Sequence, residues 1–132
     1  MLTLPPAVKL WACTQPVDFR KSFAGLALQV RSVMGMDPLS GHIFCFFNGR
    51  RDQLRLLYWD RSGYLLVGKK LERGSFKVPW EPQAQTGKSW ELEAYELSLI
   101  MEGIELKGAK HRPRWTPMPK PNIPTKNVES FR

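Results

Sequence analysis

The sequence predicts a small α+β domain: an antiparallel sheet of three or four strands, an N-terminal amphipathic helix, a short C-terminal helix, and an extended basic, proline-rich tail. Three observations predict it. Phe19, Phe23, Leu26, Val30, Val33 and Met34 recur at spacings of three and four, the stripe of a helix laid on a core. Three β-rich runs between Ile43 and Val67 are separated by turn residues. Leu97, Ile100, Met101 and Ile104 fall at i, i+3, i+4 and i+7. The 132 residues suit one domain with one core, drawn at residues 1–106, with the tail at 107–132.

Taken in order, Val8–Cys13 reads as a short strand with Val8, Leu10 and Ala12 on one face, and Pro16 ends it. Asp18 is the expected N-cap of the first helix, its carboxylate accepting orphan backbone N–H groups, and Gly35 the expected C-cap. The helix carries Arg20, Lys21 and Arg31 off its apolar stripe, and a loop rich in turn residues, Met36–Gly41, follows. Ile43–Phe47 and Leu54–Trp59 form a hairpin around a tight turn at Asn48-Gly49, and Asp60-Arg61-Ser62-Gly63 turns the chain into a third strand at Tyr64–Val67. The result is a three-stranded antiparallel meander. Gly and Pro interrupt residues 68–88, where Phe76, Val78 and Trp80 suggest a short edge strand. An acidic helix then runs from about residue 93 to Gly103, and from Lys107 five prolines forbid a regular helix. Both helices are expected on one sheet face, leaving the other face and the hairpin turns open.

The formal charge is +8, and its distribution says more than its total. Residues 1–88 hold 13 Lys and Arg against 6 Asp and Glu, residues 89–102 hold only glutamates among charged residues, and residues 103–132 hold 7 cations against 2 anions. Solubility alone explains a surplus but not this segregation, which favours a polyanionic partner, nucleic acid first. Cys13 and Cys45 are too few for a disulfide framework and lack metal spacing, so they read as small buried hydrophobes in a reducing cytoplasm. The N-terminus lacks the pattern of an export signal and no apolar run reaches membrane length, so the expected location is the bacterial cytoplasm, at the nucleoid when DNA is bound.

The candidate nucleic-acid contacts are Arg50 and Arg51 at the hairpin turn, Arg55 on its second strand, Arg61 at the next turn, and Lys69, Lys70 and Arg73 beyond the third strand. Arg20 and Lys21 on the first helix, and Lys110, Arg112 and Arg114 in the tail, complete the set. Guanidinium groups grip phosphates in bidentate fashion, and a basic arm follows a phosphate backbone. The same residues at turns and edges also serve as solvated guards against strand pairing. Phe44, Phe46, Phe47, Tyr58, Trp59 and Tyr64 are read mainly as core, with a minority free to stack on bases.

No catalytic constellation is read from the residues. Asp18, Asp37, Asp52, Asp60 and Glu72 sit at caps and turns where carboxylates have conformational jobs. His42, although three residues before Cys45, and His111 suggest neither a zinc site nor a Cys/His nucleophile pair, and neither a G-x-S-x-G elbow nor a Gly-rich phosphate loop is present. The expectation is no enzyme activity, no metal and no cofactor.

Four blocks then carry a resemblance: Val17-Asp18-Phe19-Arg20-Lys21-Ser22-Phe23-Ala24-Gly25-Leu26, Asp37-Pro38-Leu39-Ser40-Gly41-His42-Ile43-Phe44, Leu57-Tyr58-Trp59-Asp60-Arg61-Ser62-Gly63, and Lys70-Leu71-Glu72-Arg73-Gly74-Ser75-Phe76. In that order they resemble the small accessory proteins called TnpB of the insertion-sequence-sixty-six family of bacterial transposons. Those proteins are unrelated to the RNA-guided nucleases that share the label. The resemblance spans about residues 4–117. It departs at Ala24, where the family usually carries an acid, at Val78-Pro79-Trp80, and over residues 118–132.

The resemblance implies a part in transposition beside a separate transposase, and transfers no catalytic residues. The expected function is a non-catalytic accessory protein binding DNA, at transposon ends or in the transposase–DNA assembly, through the basic turns and tail. The alternative is a protein-interaction adapter that docks the transposase without touching DNA.

Overall fold

Five consecutive apolar residues, Ile43–Phe47, organise the fold: all five are buried, which an extended strand achieves only when both of its faces are covered. In the computed structural model, which describes residues 7–80 and 87–103, this run is the central strand β2 of a five-stranded sheet. The tail residues Lys110, Arg112 and Arg114, together with Ile104 and the boundary drawn at 106, lie outside the described residues.

The meander is present. β2 pairs antiparallel with β3 (Gln53–Trp59), and β3 with β4 (Tyr64–Lys70). Its first turn differs from expectation: residues 48–52 form a longer loop in which Arg51, not Gly49, takes the left-handed conformation at φ 59°. Asn48 shapes that loop by accepting the Gln53 N–H at 3.0 Å and donating to Asp52 at 2.7 Å. The second turn folds tightly at Arg61, with Ser62 N–H donating to the Asp60 carbonyl.

The remainder of the sheet corrects the sequence reading. β1 (Leu10–Cys13) lies beside β2 and parallel to it, because the helix between them carries the chain back to the end where β1 began. A further strand, β5 (Ser89–Leu92), then pairs antiparallel with β1, giving the order β4-β3-β2-β1-β5. The sheet is therefore mixed and five-stranded rather than antiparallel with three or four strands. Phe76 and Trp80, expected on an edge strand, belong to an irregular segment that nevertheless buries both rings, each edge-on to Phe47 at 5.8 and 6.0 Å between centroids.

Helix α1 (Phe23–Gln29) continues as a π-helical turn, Val30–Met34, that ends at Gly35 in the left-handed conformation. Asp18 is not its cap. The Asp18 carboxylate instead accepts the Arg20 backbone N–H at 2.9 Å, and the helix begins four residues later behind Ser22. Phe23 is consequently 44% exposed, and Leu26, Ala27, Val30 and Met34 supply the buried stripe. Helix α2 (Ala94–Glu102) opens with a reciprocal Glu93–Glu96 capping box and closes at Gly103.

The helices lie on opposite faces, against the expectation of one. Leu26 of α1 and Val30 and Met34 of its π-helical continuation pack with Phe44, Phe46 and Leu57, whereas Leu97 and Ile100 of α2 pack with Ile43, Cys45, Phe47, Leu54 and Leu56. β2 contributes alternate residues to each cluster, which is why its sequence is apolar without interruption. Among the described residues β2 therefore has no bare face for nucleic acid, although the edge strand β4 leaves Leu65 and Val67 exposed.

Candidate nucleic-acid interface

Strand register decides which basic residues meet. Because β1 and β2 run parallel, Cys13 and Phe47 finish at the same end, where β3 starts opposite the last residue of β4 (Gln53 with Lys70) and β5 starts opposite Cys13. The loops at this end carry Arg20 and Lys21 before α1, Arg50 and Arg51 between β2 and β3, Lys69, Lys70, Arg73 and Lys77 from the end of β4 onward, and Lys88 leading into β5. Arg50, Lys70, Arg73, Lys77, Lys88 and Lys21 are exposed. Lys77 and Lys88 lie in the Gly- and Pro-interrupted stretch that carries no local pattern; the Phe76 N–H bond to the Arg51 carbonyl brings Lys77 to this end, and the β1–β5 pairing brings Lys88.

Carboxylates at the same end are Asp18, Asp52 and Glu72 among the described residues, and two of them are already engaged. Asp52 accepts from Asn48. Asp18 is paired with Arg20, whose Nη2 donates to Oδ2 at 2.7 Å and whose Nε donates to Oδ2 at 3.0 Å and Oδ1 at 3.2 Å. The hydrogen bonds from the Arg20 side chain and backbone hold the Asp18 carboxyl down to about 2.

Three expected contacts are placed differently. Arg61 lies at the opposite end of the sheet, at the β3–β4 turn. Arg55 is half-buried, with its guanidinium stacked 4.5 Å from the centroid of Phe19 and donating to the Lys21 carbonyl at 3.0 Å. Lys69 donates to the Met101 carbonyl at 2.9 Å, placing a positive charge on the negative end of α2. Of the aromatic candidates, Phe44, Phe46 and Phe47 are core, Tyr58 packs against the α2 side, and Trp59 and Tyr64 meet edge-on at 5.0 Å.

The groups considered for chemistry have structural roles. His42 Nδ1 accepts the Lys9 backbone N–H at 3.0 Å. Cys45 is buried and desolvation pushes its thiol well up, as burial also does for Cys13. The two cysteines occupy opposite faces of the sheet. Among the described residues no cluster of His, Cys, Asp and Glu suited to a metal ion occurs, and no helix is long and apolar enough to cross a membrane.

This geometry defines a class: a small α+β protein whose mixed sheet gathers cations from four separate chain segments at one end. The family model described as IS66 Orf2 like protein matches residues 8–111, and the chain belongs to that family, whose members are accessory proteins associated with IS66 transposition. Two relatives come from Sinorhizobium fredii (strain NBRC 101917 / NGR234). Uncharacterized protein y4jC is 39% identical over 106 residues, covering 80% of this chain and 87% of the relative. Uncharacterized protein y4hO is 31% identical over 105 residues, covering 80% and 88%. No solved structure matches.

Proposed function

We propose that this chain is a non-catalytic accessory protein of transposition that binds DNA directly, at transposon ends or within the transposase–DNA assembly, through the cationic end of its sheet. Lys21, Arg50, Lys70, Arg73, Lys77 and Lys88 make the phosphate contacts. The observation that carries this reading is the convergence of exposed cations from separate loops, with the Asp18 and Asp52 carboxylates beside them already engaged. Such an arrangement releases counterions from a polyanion without first breaking internal ion pairs. Arg55 is a support for the loop beneath this surface, not a contact.

The test is a mobility-shift titration on transposon-end and random duplexes over a range of salt. Each phosphate contact contributes about −0.9 to the slope of log affinity against log salt. An Arg50→Gln/Lys70→Gln/Arg73→Gln variant is expected to lose about 2.7 from that slope, and Arg61→Gln, at the far end, none. Absence of any wild-type shift at low salt rules out direct binding and leaves the transposase adapter. A full slope in the triple variant moves the contact surface elsewhere.

A further inference from the structure

We infer that the cleft between the β1–α1 and β2–β3 loops is a seat for one phosphate group of the bound nucleic-acid backbone, anchored by Arg51. The inference rests on the DNA-binding reading above and assigns a specific subsite within it.

The cleft has a volume of about 50 Å³ and is lined by Gln15, Phe47, Asn48, Gly49, Arg51 and Trp80 among others. Cavities of about 150 Å³ accept benzene, so this one is too small for a nucleobase and suits a compact group such as a phosphate. Its lining is unequal in charge. Asn48 spends its side-chain oxygen on Gln53 and its amide on Asp52, which ties down the nearest carboxylate. Arg51 is half-buried, and among the described residues its guanidinium has no acceptor. The backbone N–H groups of Gln15 and Gly49 likewise donate to no described acceptor. A partly desolvated cation in a cleft whose exposed rim offers backbone N–H groups without a protein acceptor is a donor set that anions take.

The backbone of Arg51 points the same way. Its φ of 59° is a conformation that favours glycine and that an arginine adopts at a cost. Two hydrogen bonds impose it: Arg51 N–H donates to the Asn48 carbonyl at 3.0 Å, and the Arg51 carbonyl accepts from Phe76 N–H at 2.7 Å. Glycine adopts this φ at less cost, so replacing Arg51 by glycine removes the guanidinium without opposing the backbone of the loop. Arg61 has a similar φ but sits in a tight hairpin turn at the other end of the sheet.

The experiment uses the full chain in two arms. In the first, amide and indole NMR signals are followed as inorganic phosphate replaces chloride at constant ionic strength. The amides of Gln15, Gly49 and Arg51 and the Trp80 indole are expected to shift together and saturate in wild type and in Arg61→Gln, at the far end of the sheet, and not in Arg51→Gln or Arg51→Gly. In the second, the salt slope for duplex binding is expected to fall by about 0.9 in both Arg51 variants. Arg51→Gly also separates site from scaffold: its unfolding midpoint is expected to stay level or rise while phosphate binding is lost.

Shifts spread over all the basic loops without saturation overturn the seat. A full DNA salt slope in Arg51→Gly overturns its assignment to the backbone even if free phosphate binds. Saturation by phosphate in a wild type that fails to bind duplex refutes the DNA reading itself and, with it, the backbone as source.

Discussion

Replacing Arg55 by alanine distinguishes a DNA contact from an internal support, because the two roles predict opposite outcomes. In the structure the guanidinium lies 4.5 Å from the Phe19 ring centroid and 3.0 Å from the Lys21 carbonyl. A half-exposed cation–π contact contributes about 1 kcal/mol and a partly solvated hydrogen bond about 1 more, so Arg55→Ala is expected to cost about 2 kcal/mol. For a domain of about 100 residues that lowers Tm by roughly 10 °C, or the urea midpoint by about 1 M. Arg55→Met, which keeps most of the stem, is expected to fall between. Thermal melts followed by circular dichroism supply the first readout and duplex binding at a temperature where both variants are folded supplies the second. Unchanged Tm with a salt slope reduced by about 0.9 would refute the support role and return Arg55 to the phosphate-binding set.

Thiol chemistry and loop geometry give two more predictions. Cys45 is fully enclosed with its thiol pushed up by desolvation, so labelling by a thiol reagent at neutral pH is expected to be slower than in denaturant by roughly 10³-fold or more; rapid stoichiometric labelling of the native protein would contradict that burial. Gly35→Ala is expected to cost about 1 kcal/mol in denaturant titrations, since its φ of 68° rather than any neighbour is the obstacle, whereas Gly49→Ala, with open space and no such φ, is expected to stay within about 0.5 kcal/mol.

Local patterns made the meander, the first helix, and α2 with its closing glycine legible in the sequence. The opposite placement of the helices was also written there, in the unbroken apolar run Ile43–Phe47, since a strand with one solvated face alternates. What local pattern does not carry is pairing across distance. β5 is four residues inside an acidic stretch, and its Trp90 and Leu92 acquire strand identity only from Ala12 and Leu10 across the sheet. The cations behaved likewise: each was visible as a residue, but whether it stood at one end or the other followed from the parallel β1–β2 register. Arg55 looks like a phosphate contact in the sequence because its ring partner Phe19 lies in a segment whose pattern is helical. Asp18 was misread because a carboxylate two residues before an arginine can close a local turn as readily as it caps a helix.

The strand order has a consequence for synthesis of the chain. Among the described strands β1 emerges first, yet its two neighbours in the sheet are β2 and β5, and β5 is made last. Until Ser89–Leu92 leaves the ribosome, one edge of β1 is an open template, with Leu10 and Ala12 uncovered by the α2 layer. The hairpins β2–β3–β4 close locally during that interval, but the sheet becomes whole only when the C-terminal strand docks beside the N-terminal one. Nascent chains stopped short of residue 92 therefore lack the strand that completes the described sheet, and closing it waits on a pairing between residues about 80 apart in sequence.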